Sequence, residues 1–289
     1  MTIQPSDVGT IKMQNIGGNL LLFLVAGLLL LFASHGIAAE YVLTAPPRES
    51  KANGEKIYGP IAEKLSEILG EKVVYEYAGT WAAYTKNMRD GRYDVVFDGP
   101  HFVGWRHRHL DHIPVAKLPG NLEFYIVARS DDQRINNPRQ LIGKKICAMP
   151  SPNLATDMVY SLFSNPVLQP TIYEVKGGLP RAYTAFKRGA CDATIFRSNQ
   201  FEKLNVVERK QLKIVVRTQP MPNQTFSISQ RLSKNRQKIT EFFRSDVGIK
   251  AADALLERFS KNKKYFTDTP SDDKYEIAAN VLEGVVFGW

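Results

Sequence analysis

Along most of the chain, short apolar runs typical of strands alternate with segments in which apolar residues keep helical spacing. The apolar run YVLTAPP (41–47) is typical of a buried strand, and YGPIAEKLSEILG (58–70) keeps helical spacing up to Gly70. The strand KVVYEY (72–77), the helix WAAYTKNMRDG (81–91) and the strand YDVVFDGP (93–100) continue the alternation. Strands that alternate with helices in this way predict parallel βαβ units.

The same order of elements returns further along the chain. The predicted elements are KKICAMP (144–150), SPNLATDMVYSLF (151–163), TIYEV (171–175), LPRAYTAFKRG (179–189) and CDATIF (191–196). At an offset of 98 residues the identical pairs are Tyr75/Tyr173, Glu76/Glu174, Gly79/Gly177, Gly91/Gly189 and Asp94/Asp192. The repeat favours two lobes built alike, and the general likeness of any two βαβ units is the alternative.

Two β-rich stretches, 115–129 and 212–229, separate these blocks and are interpreted as strands that cross between lobes. The helical tail from 233 to 289 is expected to return to the first lobe. The predicted fold is therefore α/β, with two Rossmann-like lobes joined by two crossing strands. Lobe 1 takes residues 40–117 and 221–289, and lobe 2 takes residues 118–220.

The N-terminus carries an apolar run of 14 residues, Leu20–Ala33, followed by the small residues Gly36, Ala38 and Ala39. A spanning helix needs about 20 apolar residues, whereas shorter runs are typical of signal peptides. We predict that residues 1–39 are a signal peptide, cleaved after Ala38 or Ala39, and that the protein is exported to the periplasm. An uncleaved membrane anchor is the alternative.

Composition narrows the class of protein. An apolar share of 44% excludes a disordered chain, and two cysteines cannot form a four-thiolate zinc site. In an oxidising compartment Cys147 and Cys191 can pair, or they can remain buried thiols. The 38 basic and 29 acidic side chains give a net charge of +9, which favours an anionic partner.

Ligands of open α/β sheets bind beyond the carboxyl ends of the strands, so the loops that follow strands should line a cleft between the lobes. Ser151-Pro152 is typical of a helix start, and free N–H groups at such a terminus favour phosphate-like anions. Arg48 and Arg197 can neutralise charge or be solvated surface residues. The further candidates are Tyr77 and Trp81 as a wall or as core, and Asp98, Ser151, Asn153, Thr156 and Asn223 from the loops.

Two other functions are disfavoured. Five residues within 101–112 suggest a metal site (His101, His107, His109, Asp111 and His112), but only His109 and His112 have a helical i, i+3 spacing and no zinc signature is present. No nucleophile elbow, P-loop, zinc-protease or dinucleotide motif occurs. We therefore predict no catalytic residues, no metal and no cofactor. Nucleic acid is not expected as a partner of an exported chain.

Four segments resemble a known family. APPRES, YGPIAEKL, VVYEYAGTWAAYTKNMRDGRYDVVFDGPHFVGWR and the PNQ of the second crossing are similar to the phosphonate-, phosphite- and phosphate-binding proteins of ABC transporters. These are periplasmic solute-binding proteins of the type II fold. The resemblance spans roughly residues 41 to 285, and DVVFDGPHFVGWR is its most specific part.

The resemblance implies a monomeric two-lobed clamp that closes on a small phosphorus oxyanion and delivers it to an inner-membrane permease. In phosphonate binders a Ser/Thr/Gly-rich turn at the second-lobe helix grips the phosphorus oxygens. Here that turn is SPNLAT, which implicates Ser151 and Thr156, while His101 takes the place of a first-lobe contact. The alternatives are a clamp that senses its ligand for a membrane histidine kinase, and a ligand that is a non-phosphorus anion.

Overall fold

The computed structural model describes residues 40–163, 165–260 and 262–283, so the predicted signal peptide lies outside the described residues. The strands are β1 (Tyr41–Thr44), β2 (Val73–Tyr75), β3 (Val95–Asp98), β4 (Ile113–Lys117), β5 (Asn121–Leu122), β6 (Phe124–Arg129), β7 (Lys145–Ala148), β8 (Thr171–Glu174), β9 (Ala193–Arg197), β10 (Leu212–Arg217), β11 (Met221–Pro222) and β12 (Thr225–Ile228).

The first seven α-helices precede β10, and the last four form the C-terminal tail. They are α1 (Lys51–Leu69), α2 (Trp81–Arg89), α3 (Pro100–Leu110), α4 (Leu154–Leu162), α5 (Leu179–Lys187), α6 (Ser198–Phe201), α7 (Val206–Lys210), α8 (Arg236–Arg244), α9 (Asp246–Ala251), α10 (Asp253–Phe259) and α11 (Asp273–Ala279). Among the described residues, none of these helices is both long and apolar enough to cross a membrane.

Helix α1 begins seven residues earlier than the sequence pattern predicts. The Ser50 side chain caps it by accepting a hydrogen bond from the Asn53 amide, and Pro60 therefore lies in the helix interior instead of in the first turn. The predicted end is confirmed, because Gly70 terminates the helix with a φ of 72°, in the left-handed region that favours glycine.

Two five-stranded sheets form the two lobes. The first has the order β2-β1-β3-β12-β4, and the second has the order β8-β7-β9-β6-β10. In each sheet three strands of a βαβ unit run parallel, and the remaining two pairings are antiparallel. The short strands β5 and β11 pair in the two crossings, between the sheets. The predicted α/β fold of two similar lobes joined by two crossings is confirmed.

Equivalent aspartates support the internal repeat. The Asp94 carboxylate accepts a hydrogen bond from the Val42 amide at 3.0 Å and so ties the start of β3 to β1. In the second lobe the Asp192 carboxylate accepts from the Lys145 amide at 2.9 Å and ties β9 to β7. The same side chain thus makes the same connection at matching positions of both sheets.

Glycine pairs of the repeat also share a backbone conformation. Gly79 and Gly177 have φ angles of 75° and 95°, and Gly91 and Gly189 have φ angles of 68° and 84°. All four lie in the left-handed region, which side chains with a Cβ rarely adopt. The identities at an offset of 98 residues therefore mark positions where both lobes make the same turns.

The C-terminal helices return to the first lobe, as predicted. Helix α11 packs against α3, and α9 and α10 pack against α1. The two helices are tightly packed at Gly104, where a Cβ atom would lie 2.1 Å from the Tyr275 carbonyl oxygen. Since that neighbour is backbone, only glycine permits this spacing. The close packing against α11 fixes the position of α3, whose first turn reaches the cleft.

The structure contains a disulfide bond between Cys147 of β7 and Cys191, which lies two residues before the first residue of β9. The two Cα atoms are 5.6 Å apart, and both side chains are buried against α5. This resolves the alternative that the sequence left open, and it cross-links two neighbouring strands of the second sheet.

Removing the disulfide with the double change Cys147→Ala and Cys191→Ala should lower the free energy of unfolding by about 2–4 kcal/mol. The reason is that the bond closes a loop of 44 residues, which restricts the unfolded chain. Urea unfolding at pH 7.5 measures the difference. Dithiothreitol should destabilise the wild type by a similar amount and leave the double variant unchanged. Equal stability of the two oxidised proteins would contradict this expectation.

Candidate functional site

A cavity of about 620 Å³ lies between the two lobes. Its walls come from both sheets and from the C-terminal tail. The lining residues are Pro47, Arg48, Trp81, Gly99, His101, Leu122, Phe124, Met149, Pro150, Ser151, Pro152, Asn153, Leu154, Gly178, Leu179, Pro180, Arg197, Gln200, Gln224, Arg258 and Phe259. This is the position expected for a ligand site beyond the carboxyl ends of parallel strands.

Four helices begin at the cavity wall. Trp81 starts α2, Gly99 caps α3, Asn153 caps α4 and Gly178 caps α5. Each helix follows a parallel strand, so its N-terminus lies at the carboxyl edge of the sheet. The free N–H groups and the positive end of each helix dipole face the cleft. The electrostatic environment therefore favours an anion.

The start of α4 differs from the sequence prediction. Asn153, not Ser151, is the N-cap, and its side chain accepts a hydrogen bond from the Ala155 amide at 3.1 Å. Asparagine is as good an N-cap as serine, and here it stands directly before the apolar helical run. Ser151 and Asn153 both line the cavity. The Ser151 hydroxyl, however, donates a hydrogen bond to Asp157 in the first turn of the helix.

Thr156 does not lie on the cavity wall. Its side chain is fully buried, and its hydroxyl donates to the Met149 carbonyl oxygen at 2.6 Å. This hydrogen bond fastens the first turn of α4 to the loop before it. The expectation that Thr156 contacts a ligand therefore does not fit this geometry. A helix interior turns one face toward its own sheet, and Thr156 is on that face.

Asp98, another sequence candidate, is part of a buried network instead of the cavity surface. It is fully buried and forms ion pairs with Arg48 at 3.0 Å and with Arg106 at 3.2 Å. The Tyr84 hydroxyl and the Gly99 amide also donate to its carboxylate. Asp98 therefore has no free oxygen for a ligand. It holds Arg48, which does line the cavity, in place.

Arg197 lies opposite Arg48, at the end of β9 in the second lobe, and lines the same cavity. Burial, together with the positive charge of Arg48, lowers the pKa of Arg197 from its ordinary value. Within the described residues, no ion pair or side-chain hydrogen bond joins its guanidinium to the protein. Two arginines that repel one another across a cleft create a strong preference for an anion between them.

His101 lines the cavity from the first turn of α3 and is only 3% exposed. Burial, with Arg48 and Arg106 nearby, lowers the pKa of the imidazole to about 3, so the ring is neutral at physiological pH. Neither ring nitrogen has a hydrogen-bond partner among the described residues. A neutral imidazole offers one N–H donor and one acceptor. Both nitrogens are buried and unsatisfied in the described part of the chain, which makes the ring a candidate contact for a ligand.

The remaining candidates are placed differently. Trp81 lines the cavity and stacks on Phe102, with ring centroids 6.2 Å apart. Tyr77 is half-buried and does not line this cavity. Asn223 lines a neighbouring cavity of about 590 Å³, which shares four lining residues with the first: Leu122, Arg197, Gln200 and Phe259. Its amide donates to a backbone carbonyl oxygen in the preceding crossing, so it also stabilises the connection between lobes.

Some residues of the cavity wall were not among the candidates from the sequence, although part of them could have been found from the internal repeat. Gly178 and the α5 terminus follow from the repeat, since Gly177 matches Gly79 and the loop after Gly79 leads to Trp81. Arg258, by contrast, comes from α10 in the tail and forms an ion pair with Glu49, with 2.6 Å between Nε and Oε1. No local pattern could indicate that this helix reaches the cleft. No group of His, Cys, Asp and Glu that could hold a metal ion occurs within the described residues.

The buried histidines predict a pH dependence of stability. Burial lowers the pKa of both His101 and His112 to about 3, against about 6.5 in an unfolded chain. Below pH 6.5 the unfolded state therefore binds protons that the folded state does not. The free energy of unfolding should fall as the pH falls from 6.5 toward 3, by up to about 1.4 kcal/mol per pH unit for each histidine. Above pH 6.5 the two residues contribute no pH dependence.

Urea unfolding at pH 7.5, 6.0 and 5.0 measures this slope, and His112→Gln should remove about half of the histidine contribution. Carboxylates titrate in the same range, so the informative quantity is the difference in slope between variants. The comparison is therefore between His112→Gln and the wild type, measured under identical conditions. A wild-type slope in His112→Gln would show that His112 is protonated in the folded protein.

Two lobes of the same strand order with a ligand-sized cavity between them are the arrangement of solute-binding proteins, which enclose their ligand by hinge closure. Residues 43–275 match the family model for the periplasmic substrate-binding protein of phosphonate ABC transporters. The chain belongs to this family, as its resemblance to phosphonate-binding proteins predicted. The family is a solute-binding component of a transporter, not an enzyme family.

Individual relatives agree with this assignment. The phosphate-import protein PhnD of Mycolicibacterium smegmatis is 23% identical over 242 residues, which cover 75% of each chain. A Xanthomonas citri protein solved with bound ATP has a TM-score of 0.63 at 14% identity, covering 85% of this chain and 98% of its own. PhnD1 of Prochlorococcus marinus, solved with methylphosphonate, has a TM-score of 0.56 at 16% identity, covering 84% and 96%. At these identities the solved structures establish the fold.

Proposed function

We propose that this protein binds a small phosphorus oxyanion in the cavity between its lobes and delivers it to an ABC permease. The observation that carries the proposal is the pair Arg48 and Arg197, which face one cavity from opposite lobes. Burial, and then the charge of Arg48, lower the pKa of Arg197, and a dianion between the two arginines would offset both effects. Phosphonate, phosphite and phosphate carry this charge on a compact group that fits there.

The other contacts supply direction and specificity. The first-lobe arginine is held by Asp98, so its position is fixed before the ligand arrives. His101 adds a neutral donor from the first lobe, and Ser151 and Asn153 add polar atoms from the second. The helix N-termini add backbone N–H groups. Together these groups can surround an oxyanion without any covalent chemistry.

Contacts from both lobes also supply a mechanism of closure. An anion held by only one lobe would gain only part of the available hydrogen bonds, whereas closure over it adds the rest. The ligand therefore favours the closed state by its differential affinity for that state. The two crossings at β5 and β11 are the segments that would bend. The closed clamp then presents a surface formed by both lobes to the permease.

Export to the periplasm fits this role, with residues 1–39 acting as a signal peptide. The disulfide between Cys147 and Cys191 supports an oxidising compartment, since such bonds rarely persist in a reducing cytosol. We further propose that the protein acts as a monomer and that the lobe boundaries lie near residues 117 and 220. These boundaries agree with the membership of the two sheets.

Isothermal titration calorimetry of the purified chain from residue 40 onward tests the proposal. The panel is phosphate, phosphite, methylphosphonate, aminoethylphosphonate, sulfate and ATP. Methylphosphonate and phosphate are included because relatives carry these names, and ATP because a structural neighbour was solved with it. We expect tight binding of at least one small phosphorus oxyanion and weaker binding of sulfate. Binding of ATP alone, or of no compound, would contradict the proposal.

A further inference from the structure

Asp157 is a buried carboxyl group one step behind the cavity wall. It lies in the first turn of α4 and is fully buried, so it does not line the cavity itself. It reaches the cavity through Ser151, which does line it and whose hydroxyl hydrogen-bonds to the Asp157 carboxyl oxygen Oδ1. A titratable group is thus connected to the ligand space by one hydroxyl.

The surroundings of Asp157 disfavour its charge. The second carboxyl oxygen, Oδ2, has no hydrogen-bond partner among the described residues. No described Lys, Arg or His forms an ion pair with the Asp157 carboxyl group. The titratable neighbour is Tyr160, on the same helix: burial, and then the charges of Glu174 and Asp157, raise the pKa of its phenol, which is therefore neutral near pH 7. Burial raises the pKa of Asp157 to about 7, although the Ser151 hydroxyl bond lowers it. Both protonation states are therefore accessible near neutral pH.

The hydrogen bond between these two residues has two directions. As a carboxylate, Asp157 can only accept, so Ser151 must donate its hydrogen to it and present a lone pair to the cavity. As a carboxylic acid, Asp157 can donate to the serine oxygen, which leaves the serine hydrogen free to point into the cavity. The first state presents an acceptor to an oxyanion, and the second presents a donor.

We infer that Asp157 is a positioning residue that takes up a proton when an oxyanion binds, and so turns the Ser151 hydroxyl toward the ligand as a donor. The inference rests on the proposed function, because it concerns the same cavity. The proton comes from solvent and stays on the Asp157 carboxyl, and no covalent bond to the ligand forms. The negative ligand also favours the neutral acid, so ligand and proton assist one another by the same factor.

The consequence is an affinity that falls with rising pH. Below about pH 7 Asp157 is already protonated in the free protein, and binding needs no proton from solvent. Above it, each pH unit should weaken binding by up to tenfold, because one proton must be taken up per ligand. Export of a phosphorus oxyanion receptor into a compartment of variable pH would make this dependence relevant to capture.

Asp157→Asn separates this effect from the titration of the ligand. The asparagine amide can donate to the serine oxygen at every pH, so the variant imitates the protonated acid. The ratio of the wild-type Kd to the variant Kd for the same ligand removes the ligand's own protonation. With methylphosphonate, or the tightest phosphorus oxyanion of the panel, this ratio should be near 1 at pH 6 and about 10 at pH 8. At pH 7.5, wild-type calorimetry in two buffers of different ionisation enthalpy should show more proton uptake than the variant.

Two controls keep the outcomes distinct. Asp131→Asn changes an exposed carboxyl of the same lobe and should keep the wild-type pH profile. The melting temperature of Asp157→Asn at pH 8 should equal or exceed that of the wild type, because the variant buries no charge. A Kd ratio that is flat from pH 6 to 8, with normal binding, would overturn this inference alone. Failure of the wild type to bind any phosphorus oxyanion would overturn the proposed function as well.

Discussion

Replacing Arg197 by alanine is expected to lower the affinity for a phosphorus oxyanion by about 100-fold, or about 2.7 kcal/mol. The guanidinium lines the cavity and is bonded to no acidic side chain in the described part of the chain, so its charge is available to the ligand. Loss of a charged group from a buried ion contact commonly costs 2–5 kcal/mol. Calorimetry with the tightest ligand of the panel measures the change.

The same variant should fold at least as well as the wild type. Burial and the charge of Arg48 lower the pKa of Arg197, which shows that the site disfavours its positive charge before a ligand arrives. Thermal unfolding without ligand should therefore give an unchanged or higher melting temperature. Arg188→Ala removes an exposed arginine from the same lobe and is the matched control, with unchanged affinity. Normal binding by Arg197→Ala would place the anion site elsewhere.

Asp98→Asn should lower the free energy of unfolding by about 3–5 kcal/mol. The change keeps the size of the side chain but leaves Arg106, which is fully buried, without a counter-charge. Breaking one partner of a buried ion pair is costly because the other charge stays desolvated. Arg48 also loses the carboxylate that positions it, so binding should weaken too. Urea unfolding at pH 7.5 measures the stability, and calorimetry at the same pH measures the affinity.

Glu67→Gln is the matched control for this change. Glu67 pairs with Lys64 on the surface of α1, where both side chains are substantially exposed. Exposed pairs contribute less than about 1 kcal/mol, so this variant should unfold close to the wild type. A similarly small effect of Asp98→Asn would show that Arg106 finds another partner or reaches water.

The alternation of strands and helices could be predicted because each βαβ unit buries one face of every element. The glycine and aspartate pairs of the repeat were informative for the same reason, since they mark turns and strand ties that both lobes need. The start of α1 was missed because the cap at Ser50 lies far ahead of the first apolar turn. An N-cap depends on a single hydrogen bond from the backbone to one side chain, and the spacing of apolar residues carries no information about that bond.

The site was predictable only in part. Loops after strands were expected at the cleft, and Arg48, Trp81, His101, Ser151, Asn153 and Arg197 do line the cavity. Asp98 occupies such a loop as well, but Arg106 returns to it from the next helix and removes it from the surface. Likewise, Thr156 turns toward the Met149 carbonyl. Hydrogen bonds and ion pairs formed in the folded chain decide which polar residues of a loop remain free, and sequence spacing does not reveal them.

The disulfide bond has a consequence for how the protein must be produced. It joins Cys147 in β7 to Cys191, next to β9. The first strand leads into the loop of Ser151 and Asn153, and the second ends at Arg197. The cross-link therefore joins the two strands that carry the second-lobe residues of the proposed anion site. Protein made in a reducing cytosol lacks this link, so binding measured on such material would describe a looser site than the oxidised protein has.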